Sequence, residues 1–320
     1  MSYTKNFENL SKNDVAIAGG KGASLCEMTR AGLHVPPGFV VLAAAFDRFL
    51  EETDLDAEIE ARLKEVNKKD LNSVDKASNE IRAIIAKTKM PKDLAQEILK
   101  DFKKLKSKFV AVRSSATSED SKTASWAGEL ETYLNVTEKD VIRQVMKCWS
   151  SLFTPRAIFY RFEKKLHKTK VSVAVVVQKM VQSEISGISF TVHPVTKDPN
   201  QMVIEAGYGL GEAIVGGMVT PDTYIVHKDD FSILDINVSS QVFAIVKTPK
   251  GNVNKKLSPS QGGKQKLSGR QIVELAQTCK AIEEHYKHPQ DIEWAFEKNR
   301  FYITQSRPIT TLWPGTNMLK

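Results

Sequence analysis

The segment VSVAVVVQKMV, residues 171–181, is the most β-branched stretch of the chain and constrains its fold more than any other. Side chains that branch at Cβ fit a pleated, buried surface, so the run predicts a central strand. Ahead of it the spacing is helical: Leu55, Ile59, Leu63 and Val66 line up on one face, as do Leu94, Ile98, Phe102 and Leu105. Pro91 separates two of these helices and suits a first helical turn. After it the sequence is mostly strand-like, through GISFTVH, MVIEAG, TYIVHK and VFAIV. One long helical pattern interrupts at 272–286, and the hairpin DIEWAFEKNRFYITQS follows. The expected fold class is α+β, in two lobes at 1–180 and 181–320, with a helical insertion at about 44–108 in the first.

Composition narrows the function classes. The chain has 320 residues, of which 41% are hydrophobic and 26% charged, a globular balance that excludes wholesale disorder. No stretch approaches the roughly 18 apolar residues of a membrane span. The opening MSYTKNFENLSKND lacks the basic-then-apolar pattern of a signal peptide. A soluble, cytoplasmic protein without a membrane partner is expected. Cys26, Cys148 and Cys279 form no even disulfide framework and show no zinc spacing, so each reads as a reduced thiol. The net charge of +8 is spread through acid-rich helical patterns such as KDLAQEILKDFKKLKSK. That reads as a solvated basic face rather than a nucleic-acid surface, and it also suits a small anionic ligand such as a nucleotide.

Three places carry residues suited to chemistry. Gly19-Gly20-Lys21-Gly22-Ala23-Ser24 is a glycine-rich turn opening the short amphipathic run 23–31. Its glycines would let backbone approach a phosphate, helix N–H groups would point at it, and Lys21 would add charge. It is not GxxxxGK[ST], and a turn with a solvated lysine is the plain alternative. Arg113 ends the β-like run FVAVR and leads into the hydroxyl-rich stretch SSATSEDSKTASWAGELE. It could fork onto phosphate oxygens, or pair with Glu119 or Asp120. The small residues around 121–129 suit a mobile lid in which Gly128 offers backbone contact, and Thr132 offers a hydroxyl. TYLNV then reads as a strand, and Val141, Val145, Trp149 and Leu152 as a helix.

The third place is the final hairpin. In DIEWAFE, Ile292, Trp294 and Phe296 share one face, and Asp291 and Glu293 the other. A turn centred on Asn299 sets Glu293 opposite Gln305 and Asp291 opposite Arg307, with directly opposed Cβ atoms roughly 4.5–5.5 Å apart. Two hard oxygen ligands beside an arginine suit Mg²⁺ held partly by nucleotide phosphates. A partly solvated polar face is the alternative. The histidines form no nucleophilic or metal-binding frame. His193 reads as a loop residue, and His285 and His288 as favourable charges near a helix end.

Taken in order, AGGKGASLCEMTRAGLHVPPGFVV, VAVRSSATSED, SWAGELETYLNV, SGISFTVHP, EAGYGLGEAIVGGMVTPD and DIEWAFEKNRFYITQSRPI resemble successive blocks of the pyruvate phosphate dikinase and phosphoenolpyruvate synthase family. Rifampin phosphotransferase shares this nucleotide-binding part. The resemblance runs from about 10 to 310 and implies an ATP-grasp fold, two lobes clamping ATP. It implies that Lys21 and Arg113 bind phosphates, and that Gly128 and Thr132 belong to the phosphate-covering loop. Gln178, Lys179, Met180 and Val181 would form the hinge that receives adenine. Glu293 and Gln305 would hold Mg²⁺, Asp291 would join them in binding the nucleotide, and Arg307 would contact the terminal phosphates and stabilise transition-state charge. Cys26 stands where the family usually has a smaller residue, a departure expected to be tolerated. Complete members add a swivelling phosphohistidine domain with a G-x-T-S-H motif and a pyruvate-binding domain, and neither motif is present. The resemblance therefore implies the phosphoryl-donating half of an ATP-dependent phosphotransferase, with its partner domains on a separate chain or in a missing portion. The nucleotide half of a rifampin-type phosphotransferase and a non-catalytic ATP-binding regulator are the alternatives.

Overall fold

The valine run lies at the middle of a five-stranded antiparallel sheet. The strands are β1 (Thr4–Asn6), β2 (Gly38–Val41), β3 (Val110–Ala116), β4 (Thr132–Val136) and β5 (Val173–Lys179), in the order β1-β2-β5-β3-β4. The computed structural model describes residues 2–67, 69–117, 131–163, 172–248 and 251–309. The chain forms two units, one of Met1–Gly32 with Pro37–Met180, the other of Leu33–Pro36 with Val181–Lys320. Among the described residues, no helix is long and apolar enough to cross a membrane.

In the first unit, strand alternation divides the sheet into two faces. Phe39, Val41, Val110, Val112, Val173, Val175 and Val177 join one buried core with side chains from the helices. Those helices are α2 (Ala43–Glu52), α3 (Leu55–Lys64), α4 (Leu71–Lys87), α5 (Lys92–Lys104), α6 (Val141–Ser150) and α7 (Pro155–Glu163). Trp149 is the largest fully buried side chain here and stacks on Phe49 at 5.2 Å between ring centroids. Truncating such a residue to alanine costs about 3–5 kcal/mol. The opposite face carries Val40, Ala111, Arg113, Ser115, Ala174, Val176 and Gln178, and α1 (Val15–Arg30) packs against its strands β3 and β5.

Several local expectations change. The strand expected to end at Arg113 continues to Ala116, because β5 pairs with it through Ala116↔Val173 and the serine hydroxyls find partners. The helix expected at 23–31 begins earlier, and α1 is broken at Gly19. Helix α7 is capped by Thr154, which accepts the Ala157 N–H at 3.1 Å, with Pro155 at its first position.

The second unit is built on a six-stranded antiparallel sheet. Its strands are β6 (Ile185–Phe190), β7 (Gln201–Tyr208), β8 (Asp222–His227), β9 (Ile233–Asn237), β12 (Gln290–Glu297) and β13 (Arg300–Pro308), in the order β13-β12-β6-β7-β8-β9. The short helix α8 (Glu212–Val215) follows β7, and α9 (Pro259–Gly262) follows the separate hairpin of β10 (Phe243–Thr248) and β11 (Gly251–Lys256). Helix α10 (Gly269–Tyr286) starts three residues before the apolar pattern because Ser268 and Gln271 form a capping box. It packs on β7, β8 and β12, over the row Ile292, Ser189, Ile204 and Tyr224. Gly187 sits beside that row because a Cβ there would come within 1.8 Å of the Glu205 carbonyl oxygen and 2.4 Å of the Trp294 ring.

The link from α9 to α10 is fastened by a fully buried ion pair. The Lys266 ammonium donates to Asp222 Oδ1 at 2.8 Å, to the Ser239 carbonyl at 2.5 Å and to the Gly262 carbonyl at 2.9 Å. Asp222 also accepts from the Tyr224 hydroxyl and from the Ser239 and Lys266 amides. Charges this far from water persist only when every lone pair and proton is used, which is the case here.

Candidate functional site

The first unit gathers its candidates on the α1 face of the sheet. Arg113 pairs directly with Thr132 of β4 and with Val176 of β5, and Gln178 lies two residues further along β5 on the same face. Arg113 and Gln178 are buried and Thr132 is exposed. Lys21 is half-buried in the first turn after the break in α1. Its charge is felt at Cys148, whose thiol is pushed up by burial and pulled the other way by Lys21.

The break itself is built from two residues. Gly19 has φ 70° and ψ 170°, a conformation open in practice only to glycine. The Ser115 hydroxyl accepts the Gly22 N–H at 3.0 Å and donates to the Ala18 carbonyl at 2.8 Å. In an unbroken helix those two groups would bond to each other. Sequence reasoning passed over Ser115 by assigning it to a loop; its signal was the alternation that sets it on the face of Arg113.

The stretch expected to form a hinge divides in character. Gln178 is buried, Lys179 is exposed, Met180 is half-buried and Val181 is buried. The Lys179 amide donates to the Pro37 carbonyl at 2.8 Å and the Met180 amide to the Phe109 carbonyl at 3.0 Å. Those two donors are already used within the first unit, so a base would have to be read by other groups of the segment. Gly128, the loop 121–129 and the alternative Arg113 partners Glu119 and Asp120 lie outside the described residues.

In the second unit the final hairpin has the expected cross-strand pairs, Glu293↔Gln305 and Asp291↔Arg307. The route to them differs. The turn is the two residues Lys298 and Asn299, both with positive φ, and Glu297 pairs with Arg300. A bulge then shifts the register between Glu293 and Trp294, leaving Thr304 as the extra residue of β13. The shorter turn and the bulge offset each other, so the polar pairs fall where a turn centred on Asn299 would have put them.

Arg307 is held by its neighbour, with Nε 2.8 Å and Nη2 2.7 Å from Asp291 Oδ2. Gln305 is buried and Glu293 half-buried. The same row continues across β6 and β7, Glu293↔Ile188 and Ile188↔Glu205, which brings a third carboxyl to this face. Burial pushes the pKa of Glu205 up, and the charge of Asp291 adds to it. Sequence reasoning did not single out Glu205, although it is the one charged residue of the segment MVIEAG. No group of three or more His, Cys, Asp or Glu side chains is arranged to hold a metal among the described residues. The Glu293 and Gln305 pair therefore supplies at most part of a coordination shell, the remainder having to come from ligand oxygens and water. His193 accepts the Val195 and Thr196 amides through Nδ1 and shapes its own loop. His285 and His288 both pack against the Tyr286 ring.

The first unit thus sets Lys21 on a helix packed against the strand that carries Arg113, and the second opposes Glu293 to Gln305 and Asp291 to Arg307. Residues 15–318 match the family described as pyruvate phosphate dikinase, AMP/ATP-binding domain, and the chain belongs to that family. A probable phosphoenolpyruvate synthase of Methanocaldococcus jannaschii is 46% identical over 98% of this chain and 27% of its own length. One of Methanothermobacter thermautotrophicus is 43% identical over 99% of this chain and 47% of its own length. A rifampicin phosphotransferase of Bacillus subtilis is 37% identical over 98% of this chain and 36% of its own length. The chain thus spans half or less of these relatives. One is a phosphotransferase by name and two are named as probable phosphoenolpyruvate synthases, and their additional length implies further domains in them.

Proposed function

We propose that this chain is the ATP-binding, phosphoryl-donating part of a phosphoenolpyruvate synthase-type phosphotransferase, cytoplasmic and of the ATP-grasp type. Lys21 and Arg113 of the first unit bind the polyphosphate together with Thr132, which stands at the start of β4 opposite Arg113 rather than in a loop, and adenine is received at 178–181. In the second unit Glu293 and Gln305 hold Mg²⁺. Arg307, aimed by Asp291, offsets charge on the terminal phosphates as the phosphoryl group leaves. Phosphoryl transfer asks a protein for positioning and electrostatic complement more than for covalent chemistry, which fits a site of cations and hard oxygen ligands. The acceptor in this reading is a histidine of a further domain or chain, which passes the group to pyruvate. The likeness to a rifampicin phosphotransferase supports a second reading, in which the final acceptor is an antibiotic; both readings share the nucleotide site.

The observation that carries the proposal is the hairpin register, which opposes Glu293 to Gln305 and Asp291 to Arg307 on one face. Titration calorimetry of ATP with and without Mg²⁺ tests it. Glu293→Ala is expected to abolish most of the Mg²⁺ dependence of binding while leaving the fold intact. An unchanged Mg²⁺ dependence in the folded variant refutes the metal assignment.

A further inference from the structure

We propose that Ser115 is a positioning residue for Lys21, a device that opens one rung of α1 and thereby sets where the lysine stands relative to Arg113. The inference rests on the phosphate-binding role given to Lys21 above. A helix running unbroken through Val15–Arg30 would join the Gly22 N–H to the Ala18 carbonyl. The Ser115 hydroxyl stands between them instead, accepting from one at 3.0 Å and donating to the other at 2.8 Å. A hydroxyl has one proton and two lone pairs, so this single group satisfies both broken ends. A side chain inserted into the helical ladder is one of the few causes of a sharp break.

The arrangement is tightly specified. Ser115 is wholly buried, and a Cβ at Gly19 would lie 2.2 Å from its Oγ and 2.3 Å from its carbonyl oxygen. The glycine therefore answers two demands, a φ of +70° and contact with the strand. Ser115 is two residues beyond Arg113 on the same strand and face, so the bond from β3 to α1 refers the lysine directly to the arginine. Without the hydroxyl, the Gly22 N–H and the Ala18 carbonyl regain their helical partners. Gly19 is then free to become helical, and closing the rung turns the preceding part of α1 and the approach to Lys21.

A double-mutant cycle on the full chain, read by ATP titration calorimetry, tests this. Lys21→Ala is expected to weaken binding by about 10–100-fold, the range of a charge-assisted hydrogen bond. Ser115→Ala is expected to weaken it by about 3–10-fold in the parent chain. In the Lys21→Ala background the same change is expected to have less than about a twofold effect, because the group it positions is gone. Amide exchange of Gly22 should also change in Ser115→Ala, while amides of β5 stay as they are. Where Ser115→Ala does not fold, Ser115→Cys, with a weak donor and acceptor at the same place, carries the cycle. Equal losses in both backgrounds overturn the positioning role and leave Ser115 as a general support. A Lys21→Ala variant that binds ATP as the parent does overturns the phosphate-binding reading instead, and the inference with it.

Discussion

The buried pair of Lys266 and Asp222 offers the sharpest quantitative test of the second unit. Both side chains are fully shielded from solvent, and the ammonium uses its three donors on Asp222, Ser239 and Gly262. Lys266→Met keeps the length of the side chain and removes the charge. It leaves a carboxylate in the interior with the Tyr224 hydroxyl and two amides, and takes a donor from the Ser239 and Gly262 carbonyls, the second of which still accepts the Gln241 N–H at 3.1 Å. Breaking a buried pair from one side costs about 3–5 kcal/mol. At about 1.4 kcal/mol per factor of ten, global opening of this unit rises by roughly two to three and a half decades. Native-state hydrogen exchange of the β8 amides, followed by mass spectrometry, reads that change directly. Lys266→Met combined with Asp222→Asn is expected to recover part of the loss, since no isolated charge remains. A change in β8 exchange below about tenfold for Lys266→Met refutes the reasoning; it would mean that water reaches the site and carries the carboxylate.

Three further outcomes follow from the site and the core. Glu205 holds its proton more tightly folded than unfolded, through burial first and Asp291 second, so its ionisation opposes folding as pH rises above the ordinary carboxylate range. Glu205→Gln is accordingly expected to stabilise the protein at pH 7 in urea denaturation, with the gain vanishing as pH falls through that range; a gain that does not depend on pH contradicts it. Burial raises the thiols of Cys26 and Cys279 to about 12 and lifts Cys148 as well, so a thiol reagent at pH 8 should modify none of the three until denaturant is added. Gly187→Ala forces a Cβ against the Glu205 carbonyl and the Trp294 ring, and is expected to cost at least about 1–3 kcal/mol by overpacking, measured as a shift in urea midpoint.

What the sequence revealed, and what it hid, follows from how local each signal was. The run of valines announces β5 because branching at Cβ is a property of single residues, and the spacing of Leu94, Ile98 and Phe102 announces α5 in the same way. The end of β3 was misread because Ser114 and Ser115 look like loop residues until their partners are known. Those partners are the Glu131 carbonyl for one and the two ends of a broken helical rung for the other. The cross-strand pairs of β12 and β13 were read correctly although the turn and the bulge were not, since two errors of opposite sense offset each other. Strand β11 gave little apolar signal because every one of its residues is exposed. Glu205 acquires meaning only from β6 and β12, which bring Asp291 within electrostatic reach.

The segment Leu33–Pro36 belongs with the second unit, where the His34 carbonyl accepts the Ile303 N–H at 2.9 Å. During synthesis those four residues leave the ribosome well before β13 and wait for it. A partner that arrives so late makes this a slow, high-separation contact, closed only after the strands between are in register. Expressing 181–309 alone would therefore give a sheet whose outer strand presents an unanswered N–H, whereas supplying residues 33–36 as a separate peptide offers the missing acceptor in trans.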